Sequence, residues 1–138
     1  MIGRVLDRMR DVRRRRLWDP DLAAGRRGED LAHRYLRREG YTIVARNYRL
    51  PSGEAEADVI ACEGEDLVIV EVKTRATVEY GPPERAVSPE KQRHLIRVAR
   101  EYARKTDTPW ERVRFDVVRV VLREPPEVTL LRGAFRTP

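Results

Sequence analysis

Asp58, Glu71 and Lys73 are the residues of this 138-residue sequence whose types and spacing could do chemistry. They stand in EADVIACEGEDLVIVEVKTR, where two strongly apolar runs, DVIAC and LVIVEV, each carry an ionisable group in what reads as the dry part of a sheet. Gly64-Glu65 suits the centre of a type II′ two-residue turn, with Gly at the first central position. That turn joins the runs as a hairpin and sets Asp58 opposite Glu71 and Glu56 opposite Lys73. Opposed residues share a sheet face. Glu56, Asp58, Glu71 and Lys73 then project from one side at the end away from the turn, while Ala57, Val59, Ala61, Val68, Val70 and Val72 pack on the other.

Two carboxylates roughly 5 Å apart across a ladder repel. Protonation of one, a compensating cation such as Lys73, or a divalent metal between them would each relieve the repulsion. Mg²⁺ suits such a place, because it takes one or two carboxylates at about 2.1 Å and keeps water or phosphate oxygens in its other positions. The bland reading makes Glu71 and Lys73 exposed strand-end charges with Asp58 in the adjoining turn. Against it, Glu71 interrupts a run that otherwise reads as buried on both faces.

The flanking elements must hold this hairpin in place. WDPDLAAGRRGEDLAHRYLRREG reads as a helix, with Asp19 as cap, Pro20 in the first turn, and Ala24, Gly28, Leu31, Ala32, Tyr35 and Leu36 as an inward stripe before Gly40 stops it. Glu29 falls at the border of that stripe. YTIVARNYRL reads as a strand, and Pro51-Ser52-Gly53 turns the chain into the hairpin. After a Gly- and Pro-bearing loop, Ser88 caps a second helix with Pro89 in its first position. Leu95, Ile96, Val98, Ala99, Tyr102 and Ala103 form its core face, which leaves Lys91, Arg93, Arg97, Arg100 and Arg104 mostly outside. VRFDVVRVVL and a short edge strand, EVTLLRG, close the chain. The order α-β-β-β-α-β-β predicts an α/β fold, a mixed central sheet flanked by helices.

The length fits one domain, able to bury roughly 70% of the surface of its unfolded chain. A formal net charge of +6 and a pI near 10.0 point to a polyanion as partner. The basic residues are almost all Arg, with Lys only at Lys73, Lys91 and Lys105, a skew that genome composition produces as readily as phosphate binding. Residues 1–18 form a basic arm, with seven Arg against Asp7 and Asp11, ahead of a domain over residues 19–138. The arm reads either as a nucleic-acid contact or as a tail without a role. It lacks the uninterrupted apolar core of a secretion signal, and no segment approaches the roughly 20 apolar residues of a membrane span. With Cys62 as the single cysteine, these features favour the cytoplasm.

Other chemistries fare worse. His33 and His94 with one cysteine give no zinc spacing, and GRRGED lacks the Lys-Ser/Thr of a phosphate loop. Lys91, Gln92 and Arg93, in the first turn of the second helix, could meet a phosphate with help from the helix N-terminus, although exposed basic residues on an amphipathic helix are ordinary. Arg75, two residues after Lys73, is a further candidate for nucleic-acid contact. Trp110 and Tyr80 could stack on bases, but loop aromatics more often cover a core edge.

Asp58, twelve intervening residues, and then Glu71-Val72-Lys73 resembles the active-site pattern of the PD-(D/E)xK nucleases, the restriction-endonuclease-like superfamily. More closely, GRRGEDLAHRYLRREGYTIVARNYR, EADVIACEGEDLVIVEVKTR, AVSPEKQRHL and RFDVV together are similar to the YraN family of small bacterial proteins, described as endonucleases of open role. The likeness covers about residues 25–121. It implies a restriction-endonuclease-like sheet and Mg²⁺- or Mn²⁺-dependent hydrolysis of phosphodiesters in DNA, with branched and single-stranded DNA as the candidate substrates. It further implies that Asp58 and Glu71 hold the metal, that Lys73 orients the attacking water or offsets charge on the phosphate, and that Glu29 joins as the acidic residue of the first helix. Glu56 matches the Glu of the family's Gly-Glu-x-Asp stretch and would be a further metal ligand. The chain departs there, with Ala55 before Glu56, so Glu54 competes for the inward position. A protein that binds nucleic acid without cutting it is the alternative.

Overall fold

In a computed structural model of the protein, the described residues are 20–76 and 87–137, with side chains described from residue 23. The basic arm, the Asp19 cap and Tyr80 lie outside them. The first helix, α1, spans Pro20–Arg38, and three strands follow, β1 (Thr42–Arg49), β2 (Glu56–Glu63) and β3 (Asp66–Arg75). Then come α2 (Pro89–Lys105), a single 3₁₀ turn at Trp110–Arg112, and strands β4 (Val113–Val121) and β5 (Glu127–Leu131). The strands form one five-stranded sheet in the order β1-β2-β3-β4-β5, parallel only between β3 and β4. This is the expected α/β fold, a mixed sheet with a helix on each face.

Local chemistry sets the element ends. Gly40, at φ +94°, ends α1 with a Schellman pair of bonds, Gly40 N–H to Arg37 O (3.1 Å) and Tyr41 N–H to Leu36 O (2.9 Å). The Ser88 hydroxyl accepts the Lys91 N–H at 3.1 Å with Pro89 in the first position of α2, so the cap is the expected one. Gly64 sits at φ +59° between the paired residues Glu63 and Asp66, as a type II′ turn requires.

Because β3 lies in the middle of the sheet, both its faces are covered, which explains its nearly unbroken apolar run. Val59, Ala61, Val68, Val70, Val72, Val118 and Val120 pack under α1 through Ala32 and Leu36, joined by Tyr41 just after the helix. Ile60, Leu67, Ile69, Phe115 and Val117 pack under α2 through Leu95, Val98, Ala99 and Ala103. Ala57 corrects the expectation that it shares a face with Val59: it belongs to the α2-side cluster together with its β1 partner Tyr48, next to Asn47, whose φ of +50° breaks the regular strand geometry of β1. The approach of α1 to β3 is close enough that a Cβ on Gly28 would lie 1.9 Å from Thr74 Oγ1. Glycine there lets the helix backbone rest on the strand.

Candidate metal centre and active site

The β2–β3 register is the one that the turn predicts, Glu63 with Asp66 through to Val59 with Val70, but the ladder ends there, one pair before Asp58 and Glu71. The cause is a side chain. Asp58 Oδ2 accepts the Val72 N–H at 2.8 Å, taking a donor that a continued ladder would have given to the β2 backbone. The strands part, and the gap they leave holds the two carboxyl groups.

Glu71 is 5% exposed, one of two buried charged residues among the described ones. By strand alternation it lies with Ile69 and Lys73 on the α2 side of the sheet. Its Oε2 is buried without a hydrogen-bond partner. Burial, then the charge of Asp58, then hydrogen bonding with Asp58 raise its pKa from 4.5 to about 8, against the opposing pull of Lys91 and Lys73. Lys73 Nζ is 4.0 Å from Glu71 Oε1, and Lys91 Nζ, from the first turn of α2, is 3.6 Å from Oε2 and donates to the Glu56 carbonyl at 3.2 Å. A buried carboxyl with one unsatisfied oxygen beside a second carboxylate fits a hard divalent cation, which favours one or two carboxylates and takes backbone carbonyls as well.

The structure therefore brings together Asp58, Glu71, Lys73 and Lys91. Glu56 contributes its carbonyl, but its carboxylate turns to Arg49 at 2.8 Å, across the β1–β2 pair. The rival Glu54 pairs with Arg97 of α2 at 2.8 Å. Competing guanidinium groups on neighbouring elements thus draw off both, and among the described residues no set of three or more His, Cys, Asp or Glu side chains converges as a metal cluster. Glu29 is partly buried on α1, next to the Gly28 that meets Thr74, and α1 covers the sheet face opposite the one that carries Glu71. Arg75 Nη1 donates to the Thr74 carbonyl at 3.1 Å, and Arg93 is exposed on α2. Lys91 departs from the outward placement expected of it: four residues before Leu95 and seven before Val98, it sits on the core face of α2, and its long stem carries the ammonium to Glu71.

Sequence reasoning missed a second polar cluster, at the turn end of the hairpin. Asp116, 1% exposed, accepts from Tyr41 Oη (2.7 Å), Arg114 Nε (2.9 Å) and the Gly133 N–H (3.0 Å). Arg114 also pairs with Glu63 at 2.8 Å and Asp66 at 3.2 Å, and Arg132 joins through Glu63 at 3.1 Å. Every carboxylate here meets a guanidinium, so this cluster ties β4, the hairpin and the α1 end together. The carboxyl pair at Asp58 and Glu71 is left short of cations by comparison. The apolar-flanked Asp in RFDVV was the available signal. Trp110 covers a core edge, its ring 6.5 Å from Phe115 with Arg100 over it at 5.2 Å.

Among the described residues no helix is long and apolar enough to cross a membrane. A family model described as "Uncharacterised protein family UPF0102" matches residues 28–120. A UPF0102 protein of Solibacter usitatus is 50% identical over 135 residues, 98% of this chain and 100% of the relative. One from Koribacter versatilis is 49% identical over 117 residues, 83% of this chain and 80% of the relative. One from Rhodococcus opacus is 46% identical over 117 residues, 83% of this chain and 98% of the relative.

Proposed function

This chain belongs to the uncharacterised protein family UPF0102, the YraN family, and from its carboxyl pair we propose a cytoplasmic nuclease that hydrolyses phosphodiester bonds in DNA with Mg²⁺ or Mn²⁺. The observation that carries this reading is Glu71, buried at the centre of the sheet with Oε2 unsatisfied, beside Asp58 and within reach of Lys73. A purely structural carboxylate at such a site is unfavourable unless paired. Asp116 shows how this chain pairs one when structure is the purpose.

Asp58 and Glu71 would hold the metal, with the Glu56 carbonyl alongside. When bound, the metal acidifies water and withdraws charge from the phosphoryl oxygen. The residues do the rest. The Val72 N–H fixes one Asp58 oxygen, so its other oxygen is aimed by a bond made to the backbone. Lys73, a compact point charge on the same face of β3, offsets charge that grows on the phosphate during in-line displacement. In this reading Arg75 and Arg93 would hold the DNA backbone, and Glu29 would complete the acidic set.

A second reading is a protein that binds nucleic acid in this fold without cutting it. The position of Lys91 favours it, since an ammonium already partly neutralises Glu71. Incubation of the purified protein with labelled duplex, single-stranded and four-way-junction DNA in Mn²⁺, Mg²⁺ or EDTA separates the two. Metal-dependent cutting supports the nuclease, and metal-independent, steeply salt-dependent binding without cutting supports the binder.

A further inference from the structure

We propose that Lys91 is the resident counter-cation of the carboxyl pair: its ammonium holds the place of the metal in the metal-free protein and moves to a phosphate of the bound strand when the metal takes its place. The inference rests on the nuclease reading above and adds a role for a residue on a different element.

The geometry is specific. Lys91 Nζ approaches Oε2 of Glu71, the buried oxygen that no hydrogen bond satisfies, at 3.6 Å, and it donates to the Glu56 carbonyl at 3.2 Å. A carboxylate oxygen and a backbone carbonyl are the donor types that a hard cation prefers. An ammonium among them performs the electrostatic part of a metal's task without its geometry. Lys73 is not equivalent, because it stands off the other oxygen, Oε1, at 4.0 Å.

The same residue is built to leave. Its backbone is pinned by the Ser88 cap, so motion is confined to a flexible four-carbon stem. Its side chain is 30% exposed, which gives the ammonium a way out to solvent and to a strand lying over the site. The N-terminus of α2 adds positive potential for an anion at the same turn. Metal and ammonium then compete for Glu71, and DNA resolves the competition by offering Lys91 a phosphate. Coupling of this kind is reciprocal, so DNA must raise the affinity for metal by the factor by which metal raises the affinity for DNA.

The test is Mn²⁺ titration calorimetry on the full chain without DNA, for wild type, Lys91→Met and Lys91→Arg, followed by binding of a phosphorothioate-substituted DNA in Mn²⁺ across a salt series. Loss of a unit charge at this distance should let Lys91→Met bind Mn²⁺ at least about tenfold more tightly. Lys91→Arg, which keeps the charge, should stay near wild type. In the DNA experiment the salt slope of Lys91→Met should fall by about one, as for one lost phosphate contact. A Lys91→Met protein that binds Mn²⁺ no more tightly than wild type, or keeps the full salt slope, overturns the counter-cation role and leaves the nuclease reading standing. A wild type that binds no Mn²⁺ with or without DNA overturns both. Far-ultraviolet circular dichroism of each variant establishes that it is folded.

Discussion

Asp58 Oδ2 accepts the Val72 N–H at 2.8 Å, and the β2–β3 ladder stops one pair short of the two carboxyl groups. One side chain thus both ends the pairing and opens the space in which Glu71 meets Asp58. An amide oxygen can take the same N–H, whereas alanine cannot, so the two substitutions separate structure from charge. Above pH 8, where Glu71 is ionised, Asp58→Asn should melt higher than wild type without metal and lose the stabilisation that Mn²⁺ gives wild type. Asp58→Ala should be less stable than Asp58→Asn by about 1–3 kcal/mol, the usual penalty of an unsatisfied buried donor. Denaturant titration of the three proteins with and without Mn²⁺ checks this.

The pKa of Glu71 sets a pH dependence. Burial and Asp58 raise it from 4.5 to about 8, so the folded protein holds a proton that the unfolded chain releases. The associated stability is fully present below pH 4.5 and is lost as pH rises through 8, at up to about 1.4 kcal/mol per pH unit. Glu71→Gln should flatten this slope. At pH 7, Mn²⁺ binding to wild type should release close to one proton, seen as a heat that changes with the buffer's ionisation enthalpy.

Gly28 should not tolerate a methyl group. Alanine would place Cβ 1.9 Å from Thr74 Oγ1 and 2.9 Å from Thr74 Cβ, forcing α1 off β3. Gly28→Ala is expected to lose about 1–3 kcal/mol from overpacking, despite alanine's better helix propensity. Because Thr74 Cβ is itself close, Thr74→Ala in the same chain should restore only part of this in a double-mutant cycle.

The Asp116 cluster predicts the opposite behaviour from the carboxyl pair. Asp116→Ala strips Arg114, Tyr41 and the Gly133 N–H of a buried acceptor and should destabilise by about 3 kcal/mol. Its Mn²⁺ affinity should match wild type, since the cluster sits at the other end of the hairpin. A Tm series with Mn²⁺ titration of the folded variant checks both parts.

The elements were largely legible in the sequence because their signals are local. Ser88-Pro89 opens α2, Gly40 closes α1, and Gly64-Glu65 sets the hairpin register without reference to anything distant. Glu71 was legible as a buried carboxylate for a tertiary reason that leaves a local trace: a central strand reads as one apolar run, so a single carboxylate stands out. Partner choice was not legible. Glu54 and Glu56 look alike in sequence, and only the packing of α2 and β1 brings Arg97 to one and Arg49 to the other. The inward turn of Lys91 was open to periodicity, which sets it on the face of Leu95 and Val98, but its charge gave it an outward reading. The bond from Tyr41 to Asp116 spans 75 positions, beyond any local pattern.

The central claim is that Glu71 and Asp58 hold a metal that cuts DNA, with Lys73 assisting at the phosphate. It is tested most directly by single-turnover cleavage of labelled four-way-junction, single-stranded and duplex DNA in Mn²⁺, comparing wild type with Glu71→Gln and Lys73→Met. The account predicts cutting of at least one substrate by wild type, abolition by EDTA, and a loss of about 100-fold or more in each variant, in line with removal of a group that stabilises transition-state charge. Cutting that persists in Glu71→Gln, or no cutting of any substrate by a wild type that binds both Mn²⁺ and DNA, would contradict it.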